Sequence, residues 1–188
     1  MTRMKGPWSV EKTVQRYKSA WLEVFEDKVI RPDGEPGSFA TVSLKPGVSV
    51  LALDEDEQVY LTSEYRYAIE RESIEVVSGA VDEDETPAAA AQRELREELG
   101  IEASQWVDLG SVDPFTSMIN SPASLLLARD LRFVEAKREG TEIIRVVKVK
   151  LNEAVRMVME SEITHGPSCV LILKTDHFLS TNNVRNSK

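Results

Sequence analysis

Apolar and polar residues alternate along WLEVFEDKVI, from Trp21 to Ile30, with the period of a half-buried strand. A turn signal, Asp33-Gly34, follows within RPDGEPG. SFATVSL (38–44) and GVSVLALD (47–54) read as two more strands split at Pro46-Gly47, and VYLTSEYRY (59–67) as another beyond the polar tip DEDEQ. Residues 1–18 are polar and mixed, and suit either an arm or a strand. Then the period changes. Thr86 can cap a helix, and Pro87 fits the first helical position, where its missing N–H costs nothing. AAAAQRELREEL consists of strong helix formers, and Gly100 is the expected left-handed stop. The pattern predicts a helix over 87–99. WVDLGSV (106–112), SLLLARDLRFV (124–134) and IIRVVKVKL (143–151) read as strands, with the charged loop EAKREGTE before the last. NEAVRMVMESE (152–162) and PSCVLILKTDHFL (167–179) read as helices. No internal repeat and no low-complexity segment stands out. Strands on both sides of an isolated helix suggest a mixed α/β sandwich.

The predicted helix carries an unusual charge pattern. Glu94 and Glu98 fall one turn apart on one face, and Glu97 lies a turn after Glu94. Bare like charges so placed repel by roughly a few tenths of a kcal/mol. A divalent cation turns that repulsion into attraction, because Mg²⁺ favours hard oxygens from one or two carboxylates with waters and substrate phosphates. Arg93, four before Glu97, can hold it by an ion pair. A Glu-rich helix alone is more often a solvated face. The setting changes the reading: Gly79 ends a strand, Glu85 follows six residues on, and Arg93-Glu94, Glu97-Glu98, Gly100 and Ile101 complete a strand–loop–helix with acids along one side.

Composition sets the outer bounds. The chain of 188 residues makes one domain of ordinary size with room for a small appendage, and its 41% hydrophobic content suffices for a core. A net charge of -9 offers no broad basic surface to a phosphate backbone, so nucleic acid is not an expected partner. The single cysteine, Cys169, forms no internal disulfide and no thiol cluster, and reads as a small buried hydrophobe. The opening MTRMKGPWSV has no long apolar run, so neither a signal peptide nor a membrane span is expected and the cytoplasm is the default location.

The stretch from Gly79 to Ile101 resembles the Nudix box, G-x5-E-x7-R-E-U-x-E-E-x-G-U with U a bulky aliphatic. Gly79, Glu85, Arg93, Glu94, Leu95, Glu97, Glu98, Gly100 and Ile101 fill every fixed position. The resemblance implies the Nudix α/β/α sandwich with a mixed sheet, and hydrolysis of a nucleoside diphosphate linked to another group. It implies that Glu94, Glu97 and Glu98, with Ala80, ligate Mg²⁺ or Mn²⁺. Gly79, Glu85, Arg93 and Gly100 would shape and orient the box rather than do chemistry.

From about Trp21 to Phe178 the chain is similar to the ADP-ribose and ADP-sugar pyrophosphatase branch. EYRYAIE resembles a segment whose arginine, here Arg66, meets the substrate pyrophosphate, although a lone surface-strand arginine would look the same. EGTEIIRVVKVKLNEA resembles an acidic loop that carries a further glutamate: Glu142 is the aligned general base, Glu139 its neighbour and competitor, and the box residue Glu97 an alternative. Thr116, in DPFTSM, stands where the branch usually has proline, and Pro114 comes two residues early. ADP-ribose, another ADP-sugar, a different nucleotide sugar and a dinucleotide therefore stay open. In this branch the N-terminal strands pair with a second copy. The expectation is a homodimer built through residues 1–46, a Nudix domain over 47–180 and a flexible tail over 181–188. Trp21 would stack on the base, or else pack in the core or the dimer contact. Two other readings compete. A non-catalytic Nudix-fold nucleotide-sugar sensor usually loses box glutamates and gains a DNA-binding domain. A capped-RNA hydrolase wants a basic groove.

Overall fold

The computed structural model describes residues 3–136 and 143–186. The chain divides into two compact units, Met1–Lys45 with Asp113–Ser121, and Pro46–Val112 with Pro122–Lys188.

The first unit is a five-stranded sheet. Strands β1 (Arg3–Lys5), β2 (Trp8–Lys18), β3 (Leu22–Ile30) and β4 (Pro36–Leu44) form an antiparallel meander, and the short β10 (Ile119–Asn120) adds in parallel on β4. Residues 8–18 are thus strand rather than arm. Val10 and Val29 are buried and paired in register, but most of the surface is open. Asp27 is buried and held by Lys5 Nζ at 2.7 Å. Burial along β3 does not follow the alternation read from the sequence: Leu22 to Glu26 are all half-buried, and Asp27 and Val29 are its two buried residues.

The second unit holds β5 (Gly47–Leu53), β6 (Gln58–Arg66), β7 (Arg71–Glu75), β8 (Val77–Ala80), helix α1 (Pro87–Leu99), β9 (Ile101–Val112), β11 (Ala123–Phe133), β12 (Arg145–Lys150), and helices α2 (Leu151–Met159) and α3 (Gly166–Asn186). Its mixed sheet runs β12-β6-β5-β11-β9, with β5 and β11 parallel and the other pairs antiparallel. β5 and β6 pair only near their turn, at Ala52↔Tyr60 and Leu53↔Val59. Beyond that they separate, and the segment 71–80 fills the gap, pairing first with β6 and then with β5. This segment delivers the chain to the start of α1.

Side chains on β5 and β11 alternate between two cores. Val48, Val50, Ala52, Leu126 and Ala128 pack with Ala90, Ala91 and Leu95 of α1. Leu51, Leu53, Leu125 and Leu127 pack with Leu151, Met157, Leu171 and Ile172 of α2 and α3. The result is the expected α/β/α sandwich. Among the described residues no helix is long and apolar enough to cross a membrane.

Several element limits differ from the sequence reading. β9 starts at Ile101, directly after α1, because Gly100 reverses the chain at once. α2 ends at Met159, and α3 continues to Asn186, since no glycine or proline interrupts it after Leu179. The strand expected to end at Gly79 is β8, whereas β7 was hidden by Glu72 and Glu75 around Ile74.

Candidate active site

β8 ends at Ala80, and the chain turns so that the Glu85 N–H donates to the Asp82 carbonyl at 3.1 Å. Thr86 caps α1 by accepting from the Ala89 N–H at 3.2 Å, Pro87 opens the helix, and Gly100 closes it at φ 63°. A Cβ on Gly100 would also run into the Val134 carbonyl, so the stop and the close approach of two segments need the same residue. Gly79 has a different reason. Any Cβ there would overlap the Glu94 carboxylate, so glycine makes the space in which that carboxylate lies against β8.

One guanidinium gathers the box. Arg93 Nε donates to Glu85 Oε1 at 3.1 Å, and Nη2 donates to Glu85 Oε2 at 2.9 Å and to the Ala80 carbonyl at 3.0 Å. Nη1 donates to Glu94 Oε1 at 2.6 Å and to Glu97 Oε2 at 3.2 Å. The Glu85 hydrogen bonds, ahead of those from Glu94 and Glu97, push Arg93 still further above its ordinary pKa. Arg93 in turn holds Glu85 below the usual carboxylate value. Glu98 lies on the same helix and is only 7% exposed.

The fixed residues of the box fit a hard divalent cation by donor chemistry. Glu94, Glu97 and Glu98 offer carboxylates, and the Ala80 carbonyl shares an arginine with two of them. Among the described residues no three acidic, imidazole or thiol groups are placed so that they could together hold a metal ion. Mg²⁺ does not require three, because it keeps several waters and takes one or two protein carboxylates.

A second cluster was not legible in the sequence. Arg66, at the end of β6, donates to both oxygens of Glu75 on β7: Nε to Oε1 at 3.1 Å and Nη2 to Oε2 at 2.7 Å. Its Nη1 pairs with Glu64 at 2.8 Å. Glu75 is buried, which alone would raise its pKa, yet the hydrogen bonds from Arg66 and the nearby positive groups bring it below the ordinary value. Arg66 is raised, first by Glu75 and to a lesser extent by Glu64 and the box residue Glu98. Arg66 and Glu98 are therefore within electrostatic reach of each other. The only sequence signal for Glu75 was a charge inside the apolar run IEVV.

Trp21 lies in the first unit between β2 and β3, 73% exposed, so it is not a core residue there. Pro114 and Thr116 are exposed in the segment before β10. Glu139 and Glu142 lie outside the described residues. A cavity of about 510 Å³ between α1 and β9 is lined by Gln92, Arg93, Arg96, Glu102, Ser104 and Trp106, without the box glutamates.

The model of the NUDIX domain matches residues 43–163. The chain belongs to the Nudix family. It is a Nudix pyrophosphatase, and members of that family generally use divalent metal ions. The ADP-ribose pyrophosphatase of Bacillus subtilis (strain 168) is 26% identical over 158 residues, 81% of this chain and 85% of that protein. The ADP-ribose pyrophosphatase of Mycobacterium tuberculosis is 30% identical over 144 residues, 74% of this chain and 69% of that protein. The CMP-5'-(N-acetyl-N-hydroxy-3-aminopropyl)phosphonate hydrolase of Streptomyces rubellomurinus is 26% identical over 157 residues, 83% and 76% of the two chains. In fold, this Nudix chain superposes on a crystal structure titled ADP compounds hydrolase with a TM-score of 0.82, covering 96% of this chain and 98% of that one at 17% identity.

Proposed function

We propose that this protein hydrolyses the pyrophosphate bond of a nucleoside diphosphate linked to a second group. ADP-ribose or another ADP-sugar is the leading substrate, and AMP and a sugar phosphate are the products. The observation that carries the reading is the single Arg93 guanidinium that ties Glu85, Glu94, Glu97 and the Ala80 carbonyl together across the box. Glu94, Glu97, Glu98 and Ala80 hold Mg²⁺, with Mn²⁺ as a substitute. When bound, the cation supplies the positive charge that neutralises phosphoryl oxygens and makes water acidic enough to attack at neutral pH.

The chain's own residues do the rest. Arg66 faces the substrate's pyrophosphate, for which its planar fork of donors is suited. Glu142 takes the proton from the attacking water on a carboxylate oxygen. Residues 1–46 join two copies into a homodimer, and Trp21 stacks on the base. Its 73% exposure in one copy supports an apolar partner of that kind. The cytoplasm is the location that suits such a substrate.

Relatives of similar identity carry names for ADP-linked and CMP-linked substrates, which keeps another nucleotide sugar or a dinucleotide as the second reading. Hydrolysis assays with Mg²⁺ across ADP-sugars, other nucleotide sugars, dinucleotides and nucleoside triphosphates decide between them. Fastest release of AMP from an ADP-sugar supports the leading substrate. Preference for a pyrimidine nucleotide or a triphosphate overturns it, and binding without cleavage of any member would reveal a sensor.

A further inference from the structure

Behind Arg66 the second unit has a polar chain that reaches the start of α3. Glu75, which accepts both hydrogen bonds from Arg66, is almost fully buried. His165, from the loop before α3, places Nδ1 3.5 Å from Glu75 Oε2 and 2.8 Å from Ser168 Oγ. Ser168 is itself buried, and its Oγ accepts the Val76 N–H at 3.0 Å. A lone pair on Nδ1 would face the Glu75 carboxylate. A proton there is attracted to it, so Nδ1–H donates to Ser168 Oγ, with the Glu75 carboxylate 3.5 Å away. Burial holds the ring below its ordinary pKa, with the positive charge of Arg66 adding to it and Glu75 opposing it.

Arg66 takes both carboxylate oxygens of Glu75, and the Ser73 side chain adds a further hydrogen bond. The His165 ring comes up to Oε2, the oxygen that also accepts Arg66 Nη2, and Ser168, bonded to the Val76 N–H between β7 and β8, fixes the ring. We propose that His165 is a positioning residue: it locks Glu75, and Glu75 aims the Arg66 fork. The ligand this serves is the pyrophosphate of the substrate, so the inference rests on the reading of Arg66 as its contact. The device spans two distant parts of the chain, β7 and the loop before α3, and makes substrate binding depend on how that loop docks.

Steady-state kinetics on five enzymes test it: wild type, Arg66→Ala, His165→Ala, the double variant and His165→Asn, with the nucleotide substrate cleaved fastest by the wild type. His165→Ala should raise KM about tenfold, with kcat within about twofold. Asn places an amide donor close to the Nδ1 position, so His165→Asn should recover most of the loss. In the Arg66→Ala background, His165→Ala should add nothing. His165→Gln, whose amide lies beyond the Nδ1 position, is the second loss variant should His165→Ala not fold.

A KM that rises with Arg66→Ala but not with His165→Ala or His165→Gln overturns the positioning role and leaves Arg66 standing. Equal losses in both backgrounds, together with a lowered Tm, mark His165 as merely structural. An unchanged KM in Arg66→Ala overturns the Arg66 reading itself, and the inference with it.

Discussion

Two arginines organise this molecule, and they do so differently. Arg93 binds partners that come from its own neighbourhood, Glu85 eight residues before it and Glu97 four after. Every nitrogen of its guanidinium is engaged, so it is a fixed strut among carboxylates that would otherwise repel. Arg66 binds Glu75 across a strand pair, and its surroundings are completed by a loop far along the chain, joined through Ser168 to Val76, 92 residues apart. Its side chain stays 39% exposed. The first cluster is closed by local sequence, whereas the second is closed by tertiary structure, and both guanidiniums keep a similar part of their surface open, 32% for Arg93 and 39% for Arg66. The difference lies in the partners: Arg93 ties together the carboxylates of the box, whereas Arg66 is held mainly by one buried glutamate outside it.

The sharpest way to break the comparison is at Glu98. Glu98→Gln keeps size and helix propensity, so the fold should survive while turnover drops by orders of magnitude through loss of a charged cation ligand. Turnover near wild type at saturating Mg²⁺ would remove Glu98 from the site. Arg93→Ala comes next. It leaves three carboxylates together without their shared donor, and thermal unfolding should show a loss of about 1–3 kcal/mol, with weaker Mg²⁺ dependence of the rate. A Tm equal to wild type would show that the strut is dispensable.

Arg66→Ala should act more gently and on binding, raising KM about tenfold for little change in kcat. A loss confined to kcat would make the two arginines alike and dissolve the contrast.

The smallest effect is in acid. Glu75 has a folded pKa below the ordinary 4.5, so it contributes stability above pH 4.5 that fades as pH falls through the lower folded value. Urea unfolding followed from pH 6 downward should show that decline, and Glu75→Gln should flatten it. An unaltered slope in the variant would mean that the Arg66–Glu75 pair does not report on acid stability.

The same contrast explains what could be read from the sequence. Helix α1 was legible to the residue, because Thr86, Pro87 and Gly100 are local signals whose chemistry does not depend on the rest of the chain. β5 and β11 were legible as strands from their largely apolar runs, but that their side chains divide between two cores is seen only in the fold. The strand ending at Gly79 was read and is β8, but β7 escaped because a buried glutamate breaks the pattern, and its reason for being there, Arg66, is found only after folding. His165 and Ser168 gave no signal, since a histidine before a helix has many uses. The exposure of Trp21 could not be read from alternation, which tells faces apart but not whether a second surface covers one. Glu142 was read by resemblance alone, and it remains the proposed base.

The central claim is that the box carboxylates work through a divalent cation to cleave a pyrophosphate. Its most direct test is the release of nucleoside monophosphate from ADP-ribose and other nucleotide sugars by the metal-stripped protein, before and after Mg²⁺ is restored. The account predicts no release in chelator and full release on adding Mg²⁺, with the cut between the two phosphorus atoms. Equal release in chelator, or none from any substrate with Mg²⁺ present, would contradict it.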